Sequence, residues 1–440
     1  RMFAIGVAVF AAASFWCGAA PSAAQLILAR AFQGAGAALL VPGSLAIISE
    51  AFPREERGRA IGTWSSLTSL AIVAGPLLGG FLVEHVSWRA VFYINLPIAA
   101  IVLVIVWLRV PASHATAAGG IDWMGTVLAT FGLGALTFAF IEAPIRGWDS
   151  VSVFSAAIGG AVALIAFFVV EMRVDHPIVP LTLFRSRTFT GANILTLLLY
   201  AALSGATFFI PFNLIQVQGY PPSRAGAAFL PFVATMSLLS RYTGALADRI
   251  GPRVLLVTGP IVAGIGLALL ARPGIGGSYW TTFFPGIFIL GIGMSITVAP
   301  LTTAVMTSVD DDRNVGAASG INNAVARVAG LLAVAILGAA TISFFSTRLE
   351  RELAPFPRDV QQAMLAQRTH LAAAQPPRGV AEPTRTGVQT AVRTSFVYAF
   401  RVVMLIAAAL AMIAAAGALT MERRVTARKG STVDSAGTSS

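Results

Sequence analysis

At 440 residues, 56% hydrophobic and only 11% charged, the chain has too little charge to clothe a water-facing surface; soluble domains carry about 25%. Its formal charge of +11 comes almost wholly from arginine, Lys429 being the only lysine. The arginines stand singly in turns and form no basic stripe with interleaved aromatics, which excludes a nucleic-acid face, while one cysteine and four scattered histidines exclude an intrachain disulfide and a metal–thiolate cluster.

The remaining class is an all-α polytopic membrane protein, in which each segment satisfies its own backbone groups. A span needs about 20 apolar residues. Twelve stretches qualify, over 2–20, 24–47, 60–83, 90–109, 123–142, 152–171, 188–212, 225–246, 253–271, 281–305, 317–343 and 396–420. Arginine gathers in "PREERGR" (53–59), after Arg109, in "EMRVDHPIVPLTLFRSR" (171–187), "DRIGPR" (248–253) and "DDDRN" (310–314), and in the tail "MERRVTARK" (421–429). The alternate turns carry one arginine each, Arg89, Arg146, Arg224 and Arg272, so the richer set is assigned to the cytoplasm. Residues 344–394 fall on the outer side although they hold seven arginines; long loops weigh little in that rule. They read as a partly ordered external loop, with a helix-like piece over 357–374 followed by the Pro- and Thr-rich "QPPRGVAEPTRTG" (375–387). "EERGRAIG" (55–62) and "DDRNVGAA" (311–318) repeat one pattern of acids, arginine and small residues, as expected of two related bundles.

Four stretches carry chemistry. In "LARAFQGAGAA" (28–38), Arg30 lies about 12 Å into its span at 1.5 Å per residue. A charge at that depth costs ~2.5–3.5 kcal/mol, so it faces the protein interior, with Gln33 and Gly34 on nearly the same face. Two readings fit: a functional charge, or a structural arginine bonded to the carbonyls of a neighbouring helix. In "AIVAGPLLGGFL" (71–82), Gly75, Pro76, Gly79 and Gly80 interrupt an apolar helix. Glycine costs up to ~1 kcal/mol and proline ~3 kcal/mol in a water-soluble helix, but in lipid small residues let backbones approach. This reads as a bent, smooth helix that slides on a neighbour, or as ordinary tight packing. "GALADRIGPR" (244–253) places Asp248 close to the positive N-terminus of the next helix. There Gly251 permits the turn, and Arg249 and Arg253 can reach other helix ends or lipid phosphates. In "SGINNAVARVAG" (319–330), Arg327 falls near mid-bilayer with Asn322 and Asn323 just over one turn before it; a polar cavity wall and an interhelical bond both fit.

These motifs resemble those of the major facilitator superfamily. "AGPLLGG" (74–80) looks like its fifth-helix antiporter signature, with Ala71 where the pattern prefers glycine, and "LARAFQG" like its fourth-helix motif, whose arginine is associated with proton coupling. "GALADRIGPR" resembles the cytoplasmic latch signature in its second copy (Gly244, Asp248, Arg249, Gly251, Arg253), and "SGINNAVARVAG" the thirteenth-helix pattern of the 14-helix drug:proton antiporters (EmrB/QacA-like). "SWRAVFYINLPI" (87–98) fits that branch's entry into helix six. The fourth- and fifth-helix motifs sit in the second and third spans, so the resemblance implies twelve helices of fourteen, with two absent at the N-terminus. It divides the chain into the remainder of an N-terminal bundle (1–110, helices 3–6), two linker helices (111–187), a C-terminal six-helix bundle with outer loop 344–394 (188–420) and a disordered cytoplasmic tail (421–440).

The implied function is proton-coupled efflux of small lipophilic or cationic compounds across the cytoplasmic membrane by alternating access. An importer on the same fold, and a non-transporting remnant or scaffold, are the rivals. No catalytic set or cofactor is called for, the proton gradient being the driving force. The partners implied are membrane lipids, a small-molecule substrate and periplasmic or envelope accessory proteins.

Overall fold

The computed structural model describes residues 2–51, 75, 77–110, 122–174, 177–308, 312–377 and 379–421; within helices, the side chains at 41–43, 45, 46, 48–50, 241, 245, 248, 307 and 312–316 lie outside that description. Every regular element among the described residues is helical. The first half holds α1 (Met2–Ala19), α2 (Ala23–Ala51), α3 (77–85) and α4 (Ala90–Arg109). A hairpin follows, α5 (Trp123–Arg146) and α6 (Val151–Glu171). The second half holds α7 (Arg187–Phe212), which continues through a π turn at Asn213–Val217, then α8 (Leu230–Ile250) and α9 (Pro252–Leu269). It ends with α10 (Phe284–Thr307), α11 (Asp312–Leu353) and α12 (Glu382–Leu419).

Ten of these helices are long and apolar enough to cross a membrane, and each matches a span expected from the sequence. The span expected at 60–83 lies largely outside the described residues, as do the repeat at 55–62 and the tail from 422 onward. The remaining one, 225–246, does form a helix, α8, but Ser237, Ser240, Arg241, Tyr242 and Thr243 dilute its apolar character. Thr243 turns inward, its hydroxyl donating to the Ser295 carbonyl of α10 at 2.7 Å.

α1 packs on α2 and α4, α5 on α6, α7 on α11 and α12, and α9 on α10 and α12, while α11 also leans on α5. The main apolar core runs through the second half, from Leu183 to Met421. Large apolar side chains such as Ile27, Trp107 and Val162 point outward, the inverse of a soluble surface and the arrangement lipid demands. Where α9 and α10 cross, a Cβ on Gly293 would strike the backbone of Ala263. Close helix approach there depends on the absent side chain.

The outer segment 344–394 departs from the loop expected of it. At 42 residues α11 is ~63 Å long and at 38 residues α12 is ~57 Å, against a hydrocarbon thickness of about 30 Å. Both helices therefore leave the bilayer and continue as protein. Arg358–Leu365 and the 3-10 turn Arg368–Ala373 cap them, covering the helix-like piece at 357–374. The second part of the Pro- and Thr-rich stretch, from Glu382 on, is helix, since Pro383 sits in the first turn of α12, where its missing N–H costs nothing. Phe345, Leu349, Leu353, Met364 and Val388 are fully buried, giving this cap an apolar core of its own. Apolar burial offsets the cost of ordering the segment.

Candidate functional site

The polar residues of the first half converge where α1, α2 and α4 meet. Arg30 Nη1 donates to Gln33 Oε1 at 2.5 Å, and Gln33 Nε2 donates to Ser14 Oγ at 2.6 Å. Asn95 Nδ2 also reaches Ser14 Oγ at 3.5 Å, and the Cys17 thiol approaches Gln33 Oε1 at 3.9 Å. Ser14, Cys17 and Gln33 are buried, whereas Arg30 and Gly34, one turn apart, face open space. The guanidinium is thus held by a neutral amide and has no carboxylate partner among the described residues.

The breaker-rich helix touches the second half at one end. A Cβ on Gly80 would lie 2.5 Å from the Pro222 carbonyl oxygen and 3.1 Å from Ser223 Cα, whereas one on Gly75 or Gly79 would meet nothing. Pro76 lies outside the described residues. One turn beyond Gly80, Glu84 Oε2 accepts from the Ser223 backbone N–H at 3.0 Å, near the start of a short helix at Pro222–Ala227. Hydrogen bonding from Ser223, side chain and backbone, holds the Glu84 carboxyl below the usual carboxylate range, helped by the nearby charges of His85 and Arg224.

In the expected latch, Gly251 adopts φ +85° between α8 and α9, a turn few other residues tolerate. Arg253 Nη2 donates to the Leu419 carbonyl at 2.5 Å, capping the negative C-terminal end of α12. Arg249 is exposed, Gly244 meets Ala299 in ordinary contact at 3.8 Å, and the Asp248 side chain lies outside the described residues.

Asn322, Asn323 and Arg327 diverge. Asn322 Nδ2 donates to Asn193 Oδ1 at 3.2 Å and Thr196 Oγ1 at 2.7 Å, tying α11 to α7. Asn323 is exposed and bonds its own helix at the Ser319 carbonyl, and Arg327 is exposed without a described partner. Asn322 thus takes the interhelical role, and Arg327 keeps the open one. We expect Asn322→Ala to lower the unfolding midpoint in detergent at a cost of about 1 kcal/mol, with Asn323→Ala nearly neutral. Equal shifts for the two would remove the bond from α7–α11 cohesion.

Several partners were not singled out from the sequence. Ser14 and Asn95 carried a usable signal as isolated polar residues inside apolar spans. Arg401 of α12, bonded to the Arg272 and Pro273 carbonyls at 3.4 and 3.3 Å, carried the same signal. Glu142, near the C-terminal end of α5, pairs with Arg146 at 2.6 Å, as an interfacial anchor does.

Residues 1–334 match the family described as the Major Facilitator Superfamily. The chain is 35% identical over 428 residues to the "Multidrug resistance protein Stp" of Mycobacterium tuberculosis (strain ATCC 25618 / H37Rv), spanning 95% of this chain and 79% of that protein. It is 30% identical over 431 residues to the "Tetracenomycin C resistance and export protein" of Streptomyces glaucescens, spanning 95% and 78%. The fold is similar to the crystal structure of a bacterial homolog to the human lysosomal transporter Spinster in an inward-facing and unoccupied conformation, with TM-score 0.58 at 18% identity, covering 95% of this chain and 83% of that one.

Proposed function

The chain belongs to the Major Facilitator Superfamily and is a multi-pass membrane protein; from that premise we propose that it exports small lipophilic or cationic compounds, drugs among them, across the cytoplasmic membrane in exchange for protons. The printed names of its relatives, resistance and export proteins, support efflux over uptake. The motif order supports the 14-helix drug:proton branch.

The observation that carries the reading is the contact at Gly80. The helix richest in breakers meets the opposite half at one end through bare backbone, and its other motif glycines stand clear. Two rigid bundles that meet this way can separate at that end and close at the other, which alternating access requires. Arg30, seated on Gln33 and Ser14, supplies the fixed charge beside which a proton carrier can titrate. Asp248, Arg249 and Arg253 act as the cytoplasmic latch, and Arg327 faces the substrate path. The proton gradient is the only driving force and no cofactor takes part. Membrane lipids and the small-molecule substrate are the partners, with envelope accessory proteins meeting the outer cap.

Acid-loaded inverted vesicles carrying the protein are expected to release protons when a cationic drug is added, and to stop when a protonophore collapses the gradient. Drug movement that persists without a gradient would overturn proton coupling, and net drug movement in the opposite sense would favour import.

A further inference from the structure

Two carboxylates meet at the open end of the α5–α6 hairpin, far from Arg30 in sequence. Asp122 precedes α5, and its Oδ1 accepts from the Gly125 N–H at 2.8 Å as an N-cap. Glu171 is the last residue of α6, 3% exposed, and its Oε2 accepts from the Val179 N–H at 2.9 Å. The other two oxygens, Asp122 Oδ2 and Glu171 Oε1, are both shut off from solvent and have no hydrogen-bond partner. They flank one spot, since a Cβ on Gly125 would run into both.

Buried acceptors without donors are rare and costly. Two adjacent buried carboxylates cannot both keep their charge unless a cation compensates them. Among the described residues none does: the groups facing the pair are the backbone N–H groups of Gly125, Val179 and Ile178, neither carboxylate forms an ion pair, and Arg173 on the next turn is exposed. One proton resolves every unmet requirement, because a single O–H between Oε1 and Oδ2 satisfies both orphaned oxygens and removes one charge. The helix dipoles decide where it sits. Asp122 lies at the positive N-terminal end of α5 and Glu171 at the negative C-terminal end of α6, so the proton is carried on the Glu171 side.

We propose that Asp122 and Glu171 form a proton-binding site that holds one shared proton at neutral pH. With Glu171 protonated, its Oε2 still accepts from Val179, pinning the stretch that leads from α6 into α7. Losing the proton sets two charges against each other and loosens that connection. The site therefore ties proton occupancy at this end of the hairpin to how firmly the hairpin holds the second half.

Infrared titration of the intact protein in lipid tests this directly. A protonated-carboxyl C=O band, shifted in D2O, is expected at neutral pH and is lost in Glu171→Gln. Asp122→Asn removes the charge that retains the proton, so the midpoint of that band falls by at least one pH unit, a tenfold loss of proton affinity. Absence of any such band in the unmodified protein at neutral pH overturns the proposal even if neither variant folds. A Glu171 band indifferent to Asp122→Asn overturns the sharing, and a band that appears only after chelation or removal of Na+ would mean that a metal cation fills the place assigned to the proton.

Discussion

Gly80→Val is expected to suppress drug efflux strongly while leaving the protein folded and inserted. The substituted side chain has to occupy space 2.5 Å from the Pro222 carbonyl and 3.1 Å from Ser223 Cα. Both are backbone atoms of a turn that ends in the Pro222–Ala227 helix, so neither can swing aside as a flexible side chain would. Overpacking of this kind costs ~1–3 kcal/mol, and here the cost falls only on the state in which the two halves touch. A bias of that size shifts the equilibrium between open and closed ends ~5- to 150-fold. Gly80→Ala should fall between wild type and Gly80→Val, and Gly79→Val, which meets nothing in this state, should close this end normally. Spin-label distances across the two ends, measured alongside efflux, check the assignment. A Gly80→Val protein that closes and transports normally would remove this contact from the cycle.

Glu84 adds a pH dependence to the same contact. Its carboxyl is held below the ordinary range chiefly by hydrogen bonding from Ser223, so its contribution is present above the ordinary carboxylate pKa and is lost as pH falls through the depressed value. Acid on that side should therefore favour separation in wild type and have less effect in Glu84→Gln.

If the proposed proton coupling holds, Arg30→Ala is expected to cut drug-dependent proton release at least tenfold, which corresponds to ~1.4 kcal/mol of lost stabilisation. The guanidinium is fixed through a chain of neutral groups, Gln33 to Ser14 with Asn95 behind, and no carboxylate among the described residues neutralises it. A positive charge maintained in that way lowers the proton affinity of any carrier beside it and so drives release. Arg30→Lys keeps the charge but lacks the planar fork that meets Gln33, and should retain part of the activity. Gln33→Ala should leave the charge while loosening its aim, weakening coupling more than drug binding. Unchanged proton exchange in Arg30→Ala would leave the arginine a structural role only.

Much of the architecture was legible because lipid imposes a one-dimensional rule: about 20 apolar residues make a span. That rule located ten helices, most to within a few residues, but missed how far α11 and α12 run beyond the bilayer, and it reads α8 least well because polar residues such as Thr243, bonded to α10, dilute it. The outer cap was misread for a different reason. "QPPRGVAEPTRTG" has loop composition, yet Glu382 and Pro383 are also a helix-start signal, and the packing of Val388 and Phe345 decides between them. At the site, Arg30 and Gln33 were legible because one helix turn brings them together. Glu84 with Ser223 and Asp122 with Glu171 were not. Each pair is joined by the fold across a long stretch of chain, and a carboxylate beside an arginine-rich turn gives no local sign that it will be buried.

The length of α11 has a mechanical consequence. Its 42 residues run as one helix from Asp312, past α7 and into the cap, with the Asn322 bonds near one end and Leu353 at the other. Such a rod acts as a lever arm. A tilt of about 20° about its midpoint carries each tip through roughly 10 Å. The cap is therefore a pointer whose position reports, from outside the membrane, which way the bundle beneath it is leaning, and a ligand that clamps the pointer would stall the machine without entering it.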